Sequence, residues 1–367
     1  SVYYLDGVEI PNINHFSTQG SAGGPVGMLN VSFIREVTLS SSAFGAEYDN
    51  PLSGVLAFEQ REGNNQTYSG NVRIGASEAG ATFNGPLFKK GKERSNTTLM
   101  VSARRSYLQF VFALVGLPIR PDYWDYQWKL NHKIDARNSL TFIGLGSIDD
   151  FSVVAPDDFD VEQQAALETA PIIEQRTLTL GLTWKHQFKN GTGQVNTTLS
   201  SNRLKNVFSQ YQDNENKTGI LFRNDSKEQE TKLRVHATQY IKDWKISYGL
   251  NVQQSVYTNN TEDIVGGFGY ETAIDFAKYG FFGKLSRSFV DNRLSLALGL
   301  RSDADSFTNG STLIDNLSPR LSASYMLNES SSWKLNASVG RYFKIPTYTM
   351  LGFQNNSGQF INKSNRY

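Results

Sequence analysis

Apolar and polar residues alternate with a period of two along most of the chain from residue 66 onward. The run YWDYQWKLNHKI at residues 123–134 is one example, and the leucines between residues 294 and 300 are spaced in the same way. Successive side chains of a β-strand point to opposite faces, so this period predicts strands, whereas helices show a period of 3.6. The runs are about 10 residues long, which is the length that a tilted strand needs to cross a membrane. The pattern therefore favours a transmembrane β-barrel.

The connections between the predicted strands alternate between short and long from residue 136 onward. In an up-and-down antiparallel sheet every second connection lies at the same end, so the short turns gather at one rim and the long loops at the other. This asymmetry is typical of outer-membrane barrels and disfavours a soluble β-sandwich, whose strands alternate equally well. The predicted short connections are 136–138, 190–193, 242–243, 291–292 and 328–331, and the predicted long ones are 149–173, 213–227, 259–272 and 303–316.

We count about thirteen strands between residues 66 and 348 from the alternation. The first three are predicted at 66–77, 80–87 and 96–107. Closed bacterial barrels have an even number of strands, so the odd count predicts that the chain is part of a larger barrel. The polar stretch that ends at Tyr367 is interpreted as an extracellular loop. The predicted fold class is all-β, a partial transmembrane antiparallel up-and-down β-barrel.

Residues 1–63 have a different pattern, with short strand-like pieces separated by loops that are rich in Gly, Ser and Asn. None of these pieces shows the long alternation seen later in the chain. We therefore predict two domains, a small globular module at 1–63 and the barrel portion at 64–367.

The composition narrows the classes of function. The chain has 36 basic and 35 acidic residues and a net charge of +1, so no electrostatic bias points to nucleic acid or anionic lipid as a partner. It has no cysteine, which excludes thiolate metal sites and cysteine nucleophiles. The four histidines, at positions 15, 132, 186 and 236, lack the spacing of a metal motif. We predict no enzyme activity, no cofactor and no metal. An acidic cluster without the spacing of an EF-hand is interpreted as a solvated loop: Asp149, Asp150, Asp157, Asp158, Asp160 and Glu162.

Several motifs resemble one family when they are taken in order. The stretches YYLDGVEIPN (3–12), LNVSFIREVTL (29–39) and FGAEYDNPLSGVLAFEQREGN (44–64) resemble the second half of the plug domain of TonB-dependent outer-membrane receptors. GATFNGPL (80–87), SARRSYLQFVF (102–112) and YWDYQWKLNHKI (123–134) resemble the first barrel strands of Bacteroidota-type members. LSPRLSASYMLN (317–328) and LNASVGRYFKIPT (335–347) are similar to a strand pair common in the family. The chain departs from the subgroup at Asp49, where glycine is usual.

The resemblance implies a 22-stranded barrel with a small α+β plug inside it, of which this chain would hold the C-terminal part of the plug and about thirteen strands. It implies active import across the outer membrane of a Gram-negative bacterium, driven by the TonB–ExbB–ExbD complex. A ferric siderophore is the first expected cargo, and a glycan, a peptide or cobalamin is the alternative. A surface lipoprotein is a further partner of some members, although the LKDASA and IYG segments of glycan importers are missing. A passive porin or adhesin barrel and a soluble all-β binding protein remain rival classes.

Two sets of residues are candidates for a site. By position, the loop at residues 11–30 matches a plug loop that can face the external cavity, so ligand contact is expected at Asn14, His15, Phe16 and Gln19, with packing against the barrel as the alternative. Arg104 and Arg105 are expected to contact carboxylates of the plug or to solvate the barrel interior.

Overall fold

The computed structural model describes residues 1–17, 23–41, 44–49, 51–89, 91, 93–154, 167, 170–327, 333–355 and 357–363. Residues 1–63, which we call the N-terminal module, contain a four-stranded sheet and a two-stranded hairpin. The strands are β1 (Val2–Leu5), β2 (Val8–Ile10), β3 (Asn14–His15), β4 (Val26–Gly27), β5 (Ile34–Ser40) and β6 (Val55–Gln60).

The four-stranded sheet has the order β2-β1-β6-β5, with β1 parallel to β6 and antiparallel to its other neighbour β2. The tight turn between β1 and β2 places Asp6 and Gly7 at positive φ, 50° and 83°, which is the turn chemistry that an Asp-Gly pair provides. On one side of this sheet apolar residues pack against Ile143 and Leu145 in the second sheet, and on the other side Val2, Tyr4, Phe44 and Val55 form a buried cluster within the module.

The second sheet contains thirteen antiparallel strands in sequential order from β7 to β19, which confirms the predicted fold class and the strand count. The strands are β7 (Ser69–Ile74), β8 (Glu78–Leu87), β9 (Thr97–Ser106), β10 (Ile119–Lys133), β11 (Asn138–Val153), β12 (Ile172–Gln187), β13 (Gly193–Asp213), β14 (Thr218–Ile241), β15 (Trp244–Asp263), β16 (Phe268–Phe289), β17 (Leu294–Asp305), β18 (Ser318–Met326) and β19 (Lys334–Gly340). The described residues also form the short α-helices α1 (Leu108–Leu114) and α2 (Tyr348–Leu351).

The turns at 134–137, 188–192, 242–243 and 290–293 all lie at one end of the sheet, which we call the turn end. The opposite end is the loop end. The turn residues Asn190, Lys242, Asp291 and Asn292 have positive φ, as their sequences predict. The fifth predicted turn, at 328–331, lies outside the described residues.

Two of the predicted long loops are wrong. At 213–227 and 259–272 the strands continue, and they are closed by four residues in each case, 214–217 and 264–267. The alternation in hydrophobicity fades here because both faces carry polar side chains, while the backbone ladder continues without interruption between β14 and β15. The predicted strand that follows residue 335 is also shorter than expected, since β19 ends at Gly340.

The two faces of the large sheet differ in polarity. On the face that carries the module, β15 buries Ser247, Asn251, Gln253 and Ser255. On the opposite face, which we call the outer face, the same strand exposes apolar side chains, and so do its neighbours. An apolar surface of this extent marks a contact with a membrane or with another protein. Large exposed side chains of the outer face include Trp124, Trp184, Leu199, Leu233, Trp244, Tyr248, Leu250, Val252, Phe281 and Leu285.

No helix among the described residues is both long and apolar enough to cross a membrane.

Candidate functional site

The contact between the N-terminal module and the large sheet is built from buried ion pairs. Lys129 of β10 and Lys232 of β14 are both buried on the module face. A buried ammonium group is tolerated only when it is paired. Lys129 lies 2.9 Å from the Asp6 carboxylate, and Lys232 lies 2.6 Å from both Glu9 and Asp49. The module is therefore held by specific charges.

His15 is fully buried, with 0% exposure, between two carboxylates of the sheet. Its Nδ1 lies 2.6 Å from Asp149 Oδ1, its Nε2 lies 3.0 Å from Asp125 Oδ2, and its ring stacks on Tyr123 at 4.1 Å. A neutral imidazole has one N–H and could donate to only one of the two carboxylates. Burial opposes the charged ring, but the hydrogen bonds and charges of Asp125 and Asp149 outweigh it and raise the pKa of His15. His15 is therefore an imidazolium that ties β3 to β10 and β11.

Arg104 extends this contact on the module face. Its Nε lies 2.7 Å from Asp125 and its Nη1 lies 3.2 Å from Glu78, while Nη2 donates to the Gly27 carbonyl oxygen of the module. The Tyr123 hydroxyl donates to Glu78 at 2.8 Å. One arginine thus connects two strands of the sheet with β4.

Arg105 lies on the outer face, where its Nη2 is 2.9 Å from Asp122 and its guanidinium stands 4.7 Å from the Trp124 ring centroid. Consecutive strand residues point to opposite faces, so Arg104 and Arg105 cannot both reach the module. The expected contact between Arg105 and the module is corrected accordingly.

The predicted ligand residues occupy different environments. His15 has no exposed surface and both ring nitrogens are bonded, so it makes no ligand contact in this conformation. Phe16 is half-buried, its N–H donates to Asp149 at 3.1 Å, and its ring meets Phe151 edge-on at 6.0 Å. Asn14 is half-buried, and Gln19 lies outside the described residues. Ligand contact by Asn14, Phe16 and Gln19 stays a prediction.

A second contact holds residues 44–49, which we call the FGAEYD segment. Cations from four strands converge on its carbonyl and carboxylate oxygens. Sequence reasoning anticipated polar inward residues but missed this convergence, because it depends on which inward residues of neighbouring strands come together. The contacts are Lys232 to Asp49 at 2.6 Å, Arg234 to Glu47 O at 2.7 Å, Lys284 to Glu47 Oε1 at 3.0 Å, Arg301 to Ala46 O at 3.1 Å and Arg320 to Gly45 O at 2.6 Å.

These cations set the charge of Asp49. Burial alone would raise its pKa, but Lys232, Arg301 and Arg234 together hold the pKa of Asp49 well below its usual range. Burial raises the pKa of the neighbouring Glu9, and the negative charge of Asp49 raises it further, although Lys232 opposes the shift. Asp49 is therefore the charged partner of Lys232 at neutral pH.

Glycines of the sheet allow the module to approach closely. A Cβ on Gly299 would lie 2.9 Å from Ala46 Cβ, and a Cβ on Gly181 would lie 2.3 Å from Val8 Cγ2. Both glycines stand in the middle of strands, where glycine commonly marks the close approach of another part of the protein. The strand sequences alone gave no signal for which glycines have this role.

A third contact, missed in the sequence, lies towards the loop end. Helix α2 returns to the module face, where the Tyr348 hydroxyl is 2.6 Å from Lys278 Nζ and also bonds Glu230. Tyr348 and Leu351 pack into a cluster with side chains of β15 and β16. The apolar residues in TYTML at 347–351 were the available signal.

At the turn end, a polar cavity of about 820 Å³ separates the module from β10–β14. Its lining includes Tyr48, Gln60, Lys129, Asn131, Thr183 and Arg234.

Within the described ranges, no group of three or more His, Asp or Glu side chains is placed to hold a metal ion. Four members of the predicted acidic loop, Asp157, Asp158, Asp160 and Glu162, lie outside those ranges.

A family model described as TonB dependent receptor-like, beta-barrel, matches residues 122–365, more than half of the chain. The chain belongs to this family. No curated protein sequence matches it.

Solved structures of similar fold have low sequence identity to this TonB-dependent receptor chain. The ferripyoverdine receptor of the outer membrane of Pseudomonas aeruginosa matches with a TM-score of 0.67 and 16% identity, over 98% of this chain and 52% of its own. The siderophore receptor PirA of Pseudomonas aeruginosa gives 0.63 and 13%, over 97% and 59%. The copper transporter OprC gives 0.65 and 13%, over 95% and 56%. The chain thus spans little more than half the length of the structures it matches.

Proposed function

We propose that this chain is part of an outer-membrane receptor of a Gram-negative bacterium that binds a scarce nutrient and imports it with energy from the TonB–ExbB–ExbD complex. In this proposal residues 1–63 are the C-terminal part of the plug and residues 64–367 begin the barrel wall. The receptor performs no catalysis. The observation that carries the proposal is the module itself, held on the polar face of the sheet by the buried charges of His15 and Lys232.

That contact favours an active receptor over a passive porin or an adhesin. A passive pore needs an open polar interior, whereas here the polar face carries buried lysine and arginine side chains whose partners belong to the module. Such pairs are expensive to separate once they are desolvated. A plug held in this way needs an external source of energy to move, which is what TonB would supply.

A ferric siderophore is the first candidate cargo, because one of the three similar structures described above is named a siderophore receptor and another a ferripyoverdine receptor. The third is named as a copper transporter, so a different metal complex is also a candidate. A glycan, a peptide or cobalamin is the alternative from the same family. A surface lipoprotein is a further candidate partner.

The cargo would first meet the module at the loop end. The half-buried Phe16 ring lies there beside Phe151 of β11, and the half-buried Asn14 precedes it by two residues. A half-exposed aromatic ring beside hydrogen-bonding groups is typical of small-molecule sites. Gln19 belongs to the same predicted surface.

A reversible cross-link tests the role of the module. The chain has no cysteine, so Ala46→Cys with Gly299→Cys introduces the only two thiols. Their Cβ atoms would start about 2.9 Å apart, and a small shift reaches disulfide distance. We expect uptake of labelled cargo by cells to stop after oxidation and to return after reduction, with each single variant as control. Uptake that continues through the locked receptor would support a passive pore and contradict the proposal.

Growth of a deletion strain on defined nutrients identifies the cargo. We expect a defect confined to one iron or copper complex, reversed by the intact gene and not by the oxidised double-cysteine variant. A defect on a glycan, a peptide or cobalamin would replace the first candidate with the alternative.

A further inference from the structure

After β19 the chain leaves the large sheet and returns along the module face. We call residues 341–363 the strap, which is described at 341–355 and 357–363 and includes α2 and a β-bridge between Gln354 and Phe360. One part of the strap contacts the module, and another part contacts β14–β16. The strap therefore joins the FGAEYD segment to strands that extend towards the loop end.

The contact with the module is made by Tyr342. Its ring meets the Phe44 ring edge-on, with centroids 5.5 Å apart, and packs against the buried cluster within the module. The Arg320 guanidinium of β18 stands 4.7 Å from the centroid of the Tyr342 ring, and Arg320 Nη1 donates to the Gly45 carbonyl oxygen at 2.6 Å. Tyr342 thus supports both the apolar cluster and the arginine that binds the FGAEYD segment.

The contact with the sheet is made by Tyr348 of α2. Its hydroxyl donates to Glu230 of β14 and accepts a hydrogen bond from Lys278 of β16 at 2.6 Å. Leu351 of α2 has no exposed surface and packs in the same cluster as the Tyr348 ring. Hydrogen bonds to charged groups are stronger than those between neutral groups, so we expect this hydroxyl to contribute strongly to the position of α2.

The connection between these two contacts is short. Five residues separate Tyr342 from Tyr348, and they form no regular structure. One of them, Pro346, is buried, and its ring fixes a φ angle. Such a segment has little slack, so a displacement of α2 is passed on to Tyr342. The hairpin of β3 and β4 is held elsewhere, because His15 and Phe16 contact β10 and β11.

We propose that the strap couples the position of α2 to the hold of the sheet on the FGAEYD segment. Displacement of α2 withdraws Tyr342 from Phe44 and from Arg320, which loosens this segment, while the hairpin of β3 and β4 keeps its own contact. The coupling follows a continuous chain of packed side chains. Cargo that displaces α2 at the loop end would therefore loosen one half of the module before the other, and this last step rests on the proposed function.

Hydrogen exchange of the purified chain in detergent, followed by mass spectrometry, tests the coupling. Tyr348→Phe removes only the hydroxyl that bonds Glu230 and Lys278. Amides of the FGAEYD segment, among them the Tyr48 N–H that donates to the Gly45 carbonyl, should then exchange faster on the order of tenfold. The Phe16 N–H, which donates to Asp149, should change by less than about twofold.

The matched control is Tyr123→Phe, on the other half of the module. It also removes one hydroxyl that bonds a glutamate, Glu78, at 2.8 Å, and its ring stacks on His15. The control should give the opposite pattern, with faster exchange at Phe16 and a change of less than about twofold in the FGAEYD segment. Equal acceleration of both regions by Tyr348→Phe would show a general loosening of the module and would overturn the proposal.

Substitutions at Tyr342 test the route. In a Tyr342→Leu background, Tyr348→Phe should accelerate exchange of the FGAEYD segment by less than about a further twofold, because the ring that passes on the displacement is missing. Tyr342→Phe keeps the ring and should preserve the acceleration. A full effect of Tyr348→Phe in the Tyr342→Leu background would place the route along β14, from Glu230 to Lys232, and overturn the role of the strap.

No acceleration by Tyr348→Phe alone would overturn the coupling altogether. These measurements need neither cargo nor the TonB complex, so they separate the coupling from import. Uptake through the oxidised receptor would contradict the proposed function without affecting the exchange results.

Discussion

The two ends of the module are held by charges of opposite sign. In the hairpin formed by β3 and β4 the module supplies the cation, His15, and the large sheet supplies the carboxylates of Asp125 and Asp149. In the FGAEYD segment the module supplies the oxygens, and the sheet supplies the cations, among them Lys232 and Arg301. Each region of the module therefore carries charges that are attracted only to the strands it contacts.

This inversion gives the contact an orientation. If the module turned so that the FGAEYD segment met β10 and β11, its carboxylates would face those of Asp125 and Asp149. Like charges brought together in a desolvated contact are strongly disfavoured. The charge pattern therefore fixes the orientation of the module on the sheet, in addition to shape complementarity. The two regions are expected to contribute unequally to the free energy of unfolding.

The largest effect is expected at Lys232. The variant Lys232→Met leaves the carboxylates of Glu9 and Asp49 buried without their shared cation. Removing one partner of a buried ion pair destabilises a protein by about 3–5 kcal/mol. Chemical unfolding in detergent, followed by tryptophan fluorescence, should show this loss.

The control for Lys232 is Lys133→Met. Lys133 lies 3.8 Å from Glu62, and both side chains are more than half exposed. An exposed pair of this kind is worth about 0–1 kcal/mol. Equal destabilisation by the two variants would contradict the importance assigned to burial.

The next effect is expected at His15, and it depends on pH. The raised pKa of His15 means that its contact is fully stabilising below about pH 6.5 and weakens as pH rises through the raised value. The lowered pKa of Asp49 has the opposite sign, so its contact stabilises above about pH 3.8 and is lost as pH falls through the lowered value. His15→Gln should cost about 2 kcal/mol near pH 6.

Unfolding curves measured from acid to alkaline pH check this difference. In His15→Gln the alkaline decline should flatten while the acid decline, which depends on Asp49, remains. An unchanged alkaline decline in the variant would show that another group titrates there. Hydrogen exchange of the amides in β3 provides a local measurement of the same contact.

A smaller effect is expected between the two regions, at Gly181. Gly181→Ala introduces a methyl group 2.3 Å from the Val8 side chain, which is buried in the module. Overpacking at such a contact costs typically 1–3 kcal/mol, and we expect the lower part of this range because a methyl group is small. Gly283→Ala is the control, since its Cβ would meet nothing within 4 Å. The comparison fails if both alanine variants have the same unfolding midpoint.

The smallest effects compare the adjacent arginines. Arg104→Gln removes the partner of Asp125 and Glu78 and a hydrogen bond to the module, so a loss of about 1–2 kcal/mol is expected. Arg105→Gln breaks a pair on the outer face and should change stability by less than about 1 kcal/mol. A larger loss at Arg105 than at Arg104 would contradict the assignment of faces.

The sequence predicted the strands whose two faces differ strongly in polarity. The alternation around Trp124 and Trp128 located β10 and assigned its faces, and Asn190-Gly191 located a turn. The strand extensions around 213–227 were missed because side chains such as Ser226 and Lys227 are polar on both faces. Hydrophobic alternation appears only where the two faces of a strand lie in different environments, so it is absent where both environments are polar.

The candidate contact was only partly predictable. The motif SARRSYLQF directed attention to Arg104, but the sequence could not say that Asp125 and Asp149 would meet on either side of His15, since that depends on the register of β10 against β11. The convergence of Lys284, Arg301 and Arg320 depends in the same way on two registers, that of β16 against β17 and that of β17 against β18. Register is set by turns and packing over the whole sheet, so local sequence does not reveal it.

Strands β13–β16 continue beyond the apolar surface as a stiff sheet, which we call the plate. Four strands joined by ladders that are irregular only between Gln210 and Tyr211, with four residues at each of the two tips, bend far less than free loops of the same length. A displacement of one tip would therefore be shared by all four strands. The inner surface of the plate also carries α2 through Tyr348, so that helix would travel with it.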